Sequence, residues 1–208
     1  MASSIVSITG LQNLPNLQSF DADFNGLQSV NLSGLTGLLY VDISDNNIPG
    51  GSTNSLTSVN LSGCTDLLEL RLDDSDFSAG IPSLAGLTSL VLIDFDQCSI
   101  SGVVDLSGLP ALGELDFSGN TALTSIIIAD TQPIFDFNGN NCALTETAVD
   151  DILVVLSNNG ILTGGVDLTG GTNAVPSATG LAAKLVLEGN GWTVNVNSTP
   201  TTTTTTTI

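Results

Sequence analysis

The chain has no histidine, and its only basic residues are Arg71 and Lys184, against 21 Asp plus Glu, for a formal charge of −19 at pH 7. Without imidazole it lacks the commonest metal ligand and the side chain that titrates nearest neutrality. So anionic a surface repels DNA and RNA and opposes acidic lipid, so no nucleic-acid partner is expected. No run of about 20 apolar residues is present to span a bilayer, so no membrane insertion is expected either. Yet 41% of the 208 residues are hydrophobic and mean hydropathy is +0.37. Aromatic residues make up only 4%, few for stacking sugars. Met1–Ile8 has neither a basic n-region nor a long apolar stretch, so it does not read as a secretory signal and the mature chain is expected to begin there. Cys64, Cys98 and Cys142 are odd in number and read as small buried hydrophobes in the reduced state.

What is present is a repeat of the form L-x-x-L-x-L-x-x-N. It runs through Leu17/Phe20/Ala22/Asn25, Leu38/Val41/Ile43/Asn46, Leu67/Leu70/Leu72/Ser75, Leu90/Ile93/Phe95/Cys98, Leu112/Leu115/Phe117/Asn120 and Gln132/Phe135/Phe137/Asn140, in steps of 21, 29, 23, 22 and 20 residues. The longest step holds an insertion around Ile48–Asn54. A second, offset motif lies between these stretches: Leu27-Gln-Ser-Val30-Asn-Leu32, Leu56-Thr-Ser-Val59-Asn-Leu61, Val103-Val-Asp-Leu106 and Leu123-Thr-Ser-Ile126. Two short extended sides per repeat, with few helix formers between them, predict a right-handed solenoid of about six flat, β-rich coils whose alternate residues point inward. Cys98 and Cys142 then fall two coils apart, about 9 to 10 Å, beyond a disulfide's reach.

In these positions the chain resembles the leucine-rich repeat family over roughly residues 8 to 144. The resemblance implies that the closing Asn of each unit turns inward and hydrogen-bonds the turn backbone. Asn25, Asn46, Asn120 and Asn140 match that structural ladder, Cys98 is an accepted substitute, and Ser75 departs from it. The fold class expected is a leucine-rich repeat solenoid with an α/β C-terminal cap: solenoid 1–144, cap 145–197, and a Thr-rich low-complexity tail 198–208.

In the cap, Thr145 followed by early acids predicts a helix over 145–157, stopped at Asn158-Asn159-Gly160. Val166-Asp-Leu168 predicts a strand, the segment after Pro176 a second helix, and Trp192-Thr-Val194-Asn-Val196 a last strand, with Trp192 facing the final coil. The runs 170–184 and 187–194 resemble the terminal block of leucine-rich-repeat proteins of bacteriophage virions and bacterial surfaces.

Outward positions on the main strands carry Asp21, Asp23, Asp42, Asp73, Asp94, Asp96, Asp116 and Asp136, an acidic ladder at about 4.8 Å spacing. Neighbouring carboxylates raise one another's pKa, so the ladder calls for hydration, a basic protein partner or Ca²⁺ as its offset. Asp73, Asp74 and Asp76 are the densest oxygen cluster for Ca²⁺, though without EF-hand spacing; no other cofactor is implied. Leu39, Tyr40, Leu68, Val91, Leu92, Ile127 and Ile134 are apolar where a solvated coil prefers polar groups, which predicts an interaction surface. Ser and Thr lack an activating base, and Lys184 reads as an i,i+4 partner of Glu188. The expectation is therefore no enzyme but a structural or binding module of a phage particle, as capsid decoration, head fibre or tail-associated adhesion protein. Its partners would be other virion proteins or a host surface receptor, with oligomer formation through segments 1–10 and 199–208. A bacterial cell-surface adhesin is the alternative and a glycan-active enzyme a remote one.

Overall fold

The computed structural model describes residues 5–46 and 56–199. The insertion at 48–54, the first four residues of the N-terminal segment and Pro200–Ile208 of the tail lie outside the described residues. In chain order the strands are β1 (Ser19–Asp21), β2 (Ser29–Asn31), β3 (Tyr40–Asp42), β4 (Ser58–Asn60), β5 (Glu69–Arg71), β6 (Leu92–Asp94), β7 (Ser101–Asp105), β8 (Glu114–Asp116), β9 (Ala122–Ile127) and β10 (Asp136–Asn138). Then come α1 (Glu146–Asn158), β11 (Gly165–Leu168), α2 (Ala178–Gly189) and β12 (Thr193–Val196).

An eight-stranded sheet runs β1-β3-β5-β6-β8-β10-β11-β12, and every neighbouring pair in it is parallel. The intervening strands pair on their own, β2 with β4 and β7 with β9, also in parallel. The architecture is α/β, with a mainly parallel sheet and two helices. Parallel neighbours require the chain to travel back between them; β2, β4, β7 and β9 lie in four of these returns, and α1 and α2 in the two that flank β11.

In the three-residue strands of the main sheet only the middle residue is buried. Phe20, Val41, Leu70, Ile93, Leu115, Phe137, Val166 and Val194 lie side by side in register and are all buried. The buried rings of Phe77, Phe95 and Phe117 form a second row, with centroid distances of 6.1 Å and, edge to face, 5.4 Å. The predicted cap elements are all present, and β11 and β12 continue the main sheet instead of standing apart from it. Thr145 caps α1 by accepting the Ala148 N–H at 3.2 Å, and Ser177 caps α2 through the Thr179 N–H at 3.1 Å. The Ser177 N–H also donates to Asp150 Oδ1 at 2.9 Å, tying the two helices together. Trp192 is buried and donates its indole N–H to the Ile161 carbonyl at 2.9 Å.

The sixth repeat sits in a different register from the one its sequence suggests. Phe137, not Phe135, pairs with Leu115, so the unit begins at Ile134 and its step is 22 residues. Ile134, expected at the surface, is fully buried, whereas Phe135 is 41% exposed. Phe135-Asp-Phe137 alternates, so a slip of two residues leaves the local pattern intact while exchanging Phe135 for Phe137 at the inward position opposite Leu115. Buried Gln132 decides it: its amide donates to the Leu106 and Leu109 carbonyls at 2.8 and 2.9 Å, and its oxygen accepts the Ala129 N–H at 2.6 Å. Asn140 therefore leaves the ladder and Cys142 takes its place, donating to the Phe117 carbonyl at 3.2 Å as Cys98 does to that of Leu72 at 3.1 Å.

Candidate functional site

The outward side chains of the main sheet form two in-register columns. One runs Ser19, Tyr40, Glu69, Leu92, Glu114, Asp136, Gly165, Thr193; the other runs Asp21, Asp42, Arg71, Asp94, Asp116, Asn138, Asp167, Asn195. Of the expected ladder, Asp21, Asp42, Asp94 and Asp116 share the second column, Asp23, Asp73 and Asp96 follow the strand ends instead of lying on the strands, and Asp136 stands opposite Glu114 while Asn138 takes the level beside Asp116.

Much of the second column is engaged locally. Asp42, Asp94, Asp116 and Asp167 each accept, through Oδ1, the N–H two residues on, closing the turn that ends the strand. Ser44 and Ser118 add their hydroxyls to the Asp42 and Asp116 carboxylates. The Ser118 hydroxyl also reaches Asp96 Oδ1 at 2.8 Å, and Asn138 Nδ2 reaches Asp116 Oδ2 at 2.8 Å, across to the neighbouring repeat. Arg71 lies between Glu69 at 3.7 Å and Asp94 at 3.5 Å. Glu114 and Asp136 differ: directly opposite each other in register, they make no hydrogen bond or ion pair among the described residues. They line, with Arg71, Asp94, Asp116 and Asn138, a groove of about 400 Å³ over this face.

A second acidic group lies where the strands turn. Carboxylate oxygens of Asp45, Asp73 and Asp74 come within 4.8 Å of one another. Asp76, expected in this cluster, is not part of it and accepts the Ser78 N–H at 3.1 Å. Burial, with Asp94 nearby, pushes the Asp73 carboxyl up to about 7. Burial also raises Asp74 (with Asp45 and Asp96 adding repulsion), Asp94 (with Asp116) and Asp23 (with Asp21 and Asp42). With one oxygen from each, the three carboxylates supply three of the six to eight oxygens that Ca²⁺ takes. Asp73 has the titration range of a general acid, but it does not line the groove over the sheet, so the two features do not combine into one site.

Of the apolar positions, Tyr40, Val91 and Ile127 are exposed at 42%, 37% and 44%, while Leu39, Leu68 and Leu92 are half-buried. Phe135 belongs with them; only the correct register reveals it. The inward ladder consists of Asn25, Asn46, Cys98, Asn120 and Cys142, with Asn173 as a further member. Asn173 Nδ2 donates to the Gly139 and Leu168 carbonyls at 2.8 and 3.0 Å, and its oxygen accepts the Leu144 N–H at 2.8 Å. Burial raises the thiol pKa of Cys64, Cys98 and Cys142, that of Cys142 to about 11, which makes poor nucleophiles. Lys184 is held by Glu188 at 2.5 Å and by the Val194 carbonyl at 2.7 Å. No helix among the described residues is long and apolar enough to cross a membrane. Comparison of the chain with protein-family models, curated proteins and solved structures finds no match.

Proposed function

We propose that the chain is a non-catalytic leucine-rich repeat module, wound as a solenoid with an α/β cap, that presents the acidic face of its sheet to a cationic protein on a phage particle. Support for the winding comes from strands that pair in chain order, a second extended side between them, and inward Asn and Cys side chains at one level of successive repeats. The observation that carries the binding role is the Glu114–Asp136 pair. Like charges directly opposite on adjacent strands are destabilising, and neither carboxylate has an ion-pair partner among the described residues, Arg71 in the same groove being engaged by Glu69 and Asp94. A Lys- or Arg-bearing partner in the groove removes that repulsion. The phage setting rests on the terminal block at 170–194.

Binding of poly-L-lysine, followed by the shift in thermal midpoint, tests the role. The comparison is made at about 10 mM and about 1 M salt, between which the Debye length falls from about 30 Å to about 3 Å. Glu114→Gln with Asp136→Asn should weaken binding at low salt more than tenfold. The equally charged control Asp66→Asn with Asp130→Asn, at exposed positions off this face, should change it little. Equal losses in the two double variants would mean bulk attraction and would overturn the reading. Mass spectrometry of purified particles beside the cell envelope tests the setting; detection in the envelope alone would replace the virion by the bacterial surface.

A further inference from the structure

We infer that the apolar stripe beside the acidic column docks an amphipathic α-helix with a basic flank, a partner chemistry that rests on the cationic-partner reading above. The stripe is laid down by the residues just before the main strands. The Leu68 N–H donates to the Leu39 carbonyl at 2.9 Å, Val91 to Leu68 at 2.8 Å, Gly113 to Val91 at 2.9 Å and Phe135 to Gly113 at 2.9 Å. Leu39, Leu68, Val91 and Phe135 are therefore neighbours in one row, interrupted only at Gly113. The glycine does not break it: a Cβ there would lie 2.8 Å from Phe135 Cε1, so the phenyl ring lies across the gap. Next to the row runs the column of Tyr40, Glu69, Leu92, Glu114 and Asp136, with the two unpaired carboxylates at its far end.

Geometry selects a helix over an extended segment. The inner strands already use their main-chain groups on both sides, so a peptide lying over the stripe finds no ladder to join. The row crosses the strands instead of following them, from β3 to β10, four steps of about 4.8 Å or about 19 Å in all. A helix rises about 5.4 Å per turn, close to one strand step, so apolar residues at i, i+3/i+4 and i+7 meet successive rungs, and about 13 residues cover the row. Basic residues along one flank of that helix then lie over Glu69, Glu114 and Asp136, and Tyr40 offers a ring face to a cation at the near end.

The test uses the full chain and two fluorescent 14-residue peptides of identical Lys and Leu content, one patterned for a helical apolar face and one scrambled. Fluorescence anisotropy measures affinity and circular dichroism the helix formed on binding. The patterned peptide should bind at least tenfold tighter and gain helix. Val91→Ser with Phe135→Ser should remove that advantage while leaving the scrambled peptide's affinity unchanged; Val91→Ser alone is the fallback if the double variant melts early. If both peptides bind equally and Glu114→Gln with Asp136→Asn weakens both, the cationic-partner reading survives and helix docking is overturned. If neither peptide binds, both readings are overturned. If the patterned peptide binds tightly but stays unfolded, the helix proposal alone is refuted.

Discussion

Truncating two asparagines that occupy the same place in the sequence motif should have opposite consequences. Asn120 is fully buried. Its Oδ1 accepts the Cys98 and Ile100 N–H groups at 3.0 and 2.9 Å, and its Nδ2 donates to the Phe95 and Phe117 carbonyls at 2.9 and 2.7 Å. Asn120→Ala removes a partner from all four backbone groups; the Phe117 carbonyl keeps the Cys142 thiol, and the Cys98 and Ile100 N–H groups and the Phe95 carbonyl lose their Asn120 bond, where an unsatisfied buried group costs about 1 to 3 kcal/mol. Partial relaxation and entry of water reduce the sum, so a loss of about 3 to 5 kcal/mol is expected, or about 6 to 20 °C in Tm for a chain of this size. Asn140 lies two residues outside the ladder, half-buried, with its side-chain oxygen accepting only the Asn141 Nδ2 at 2.8 Å. Asn140→Ala should cost no more than about 0.5 kcal/mol, as for an ordinary surface change. Urea unfolding followed by circular dichroism measures both as shifts of the midpoint at constant m. A comparable loss in the two variants would refute the register described for the sixth repeat.

Phe95→Ala should cost about 3 to 5 kcal/mol, because the ring is fully buried between Phe77 and Phe117 and its removal leaves a cavity; denaturant titration reads the loss. A Cβ on Gly164 would lie 2.4 Å from the Phe135 carbonyl oxygen and 2.9 Å from the Trp192 ring, so Gly164→Ala should destabilise by about 1 to 3 kcal/mol through overpacking. Near-ultraviolet circular dichroism should report the disturbed Trp192. The Asp73 carboxyl, raised to about 7, binds its proton more tightly in the folded chain than in the unfolded one, so its effect is to lower stability as pH rises from about 4 to about 7. The upward shifts of Asp23, Asp74 and Asp94 act in the same direction. Tm should therefore be higher at pH 5 than at pH 7.5, and Asp73→Asn should raise Tm at pH 7.5 and flatten the dependence; an unchanged slope in that variant would assign it to other carboxylates.

The repeats are legible because the inward positions take apolar side chains and close on Asn, Cys or, in the third unit, the buried Ser75, so five units align by eye from Leu17 to Asn120. Legibility fails at the sixth, where Phe135-Asp-Phe137 and Asn140-Asn141-Cys142 offer two equally alternating registers. The choice is made by a long-range contact, Gln132 with the Leu106 and Leu109 carbonyls, which no local pattern contains. Asn173 was hidden for a similar reason: it follows Leu168 by five residues, where Asn120 follows Phe117 by three. The two helices are legible to within one or two residues because Thr145 and Ser177 are capping residues, and capping is a local interaction. The acidic face was visible as composition, but which of its carboxylates are engaged was not, since that depends on hydroxyls and amides two residues along and one repeat away.

That division bears on how the charge of −19 is to be understood. At Asp42, Asp76, Asp94, Asp105, Asp116 and Asp167, each followed two residues later by Ser, Thr or Asp, the carboxylate closes a turn on the N–H of that second residue. Asn does the same at Asn31, Asn60 and Asn138 with no charge at all. The fold thus needs an acceptor at these positions, and Asp is one of two residue types that supply it. Glu69, Glu114 and Asp136 belong to the other column, where no turn requires an oxygen and where Tyr40 and Leu92 show that uncharged residues fit equally well. Glu69 pairs with Arg71, whereas the charges of Glu114 and Asp136 have no partner among the described residues. Under the proposed binding role, substitutions in that column, beside the apolar row, should report on the partner, and substitutions in the Asx column chiefly on folding.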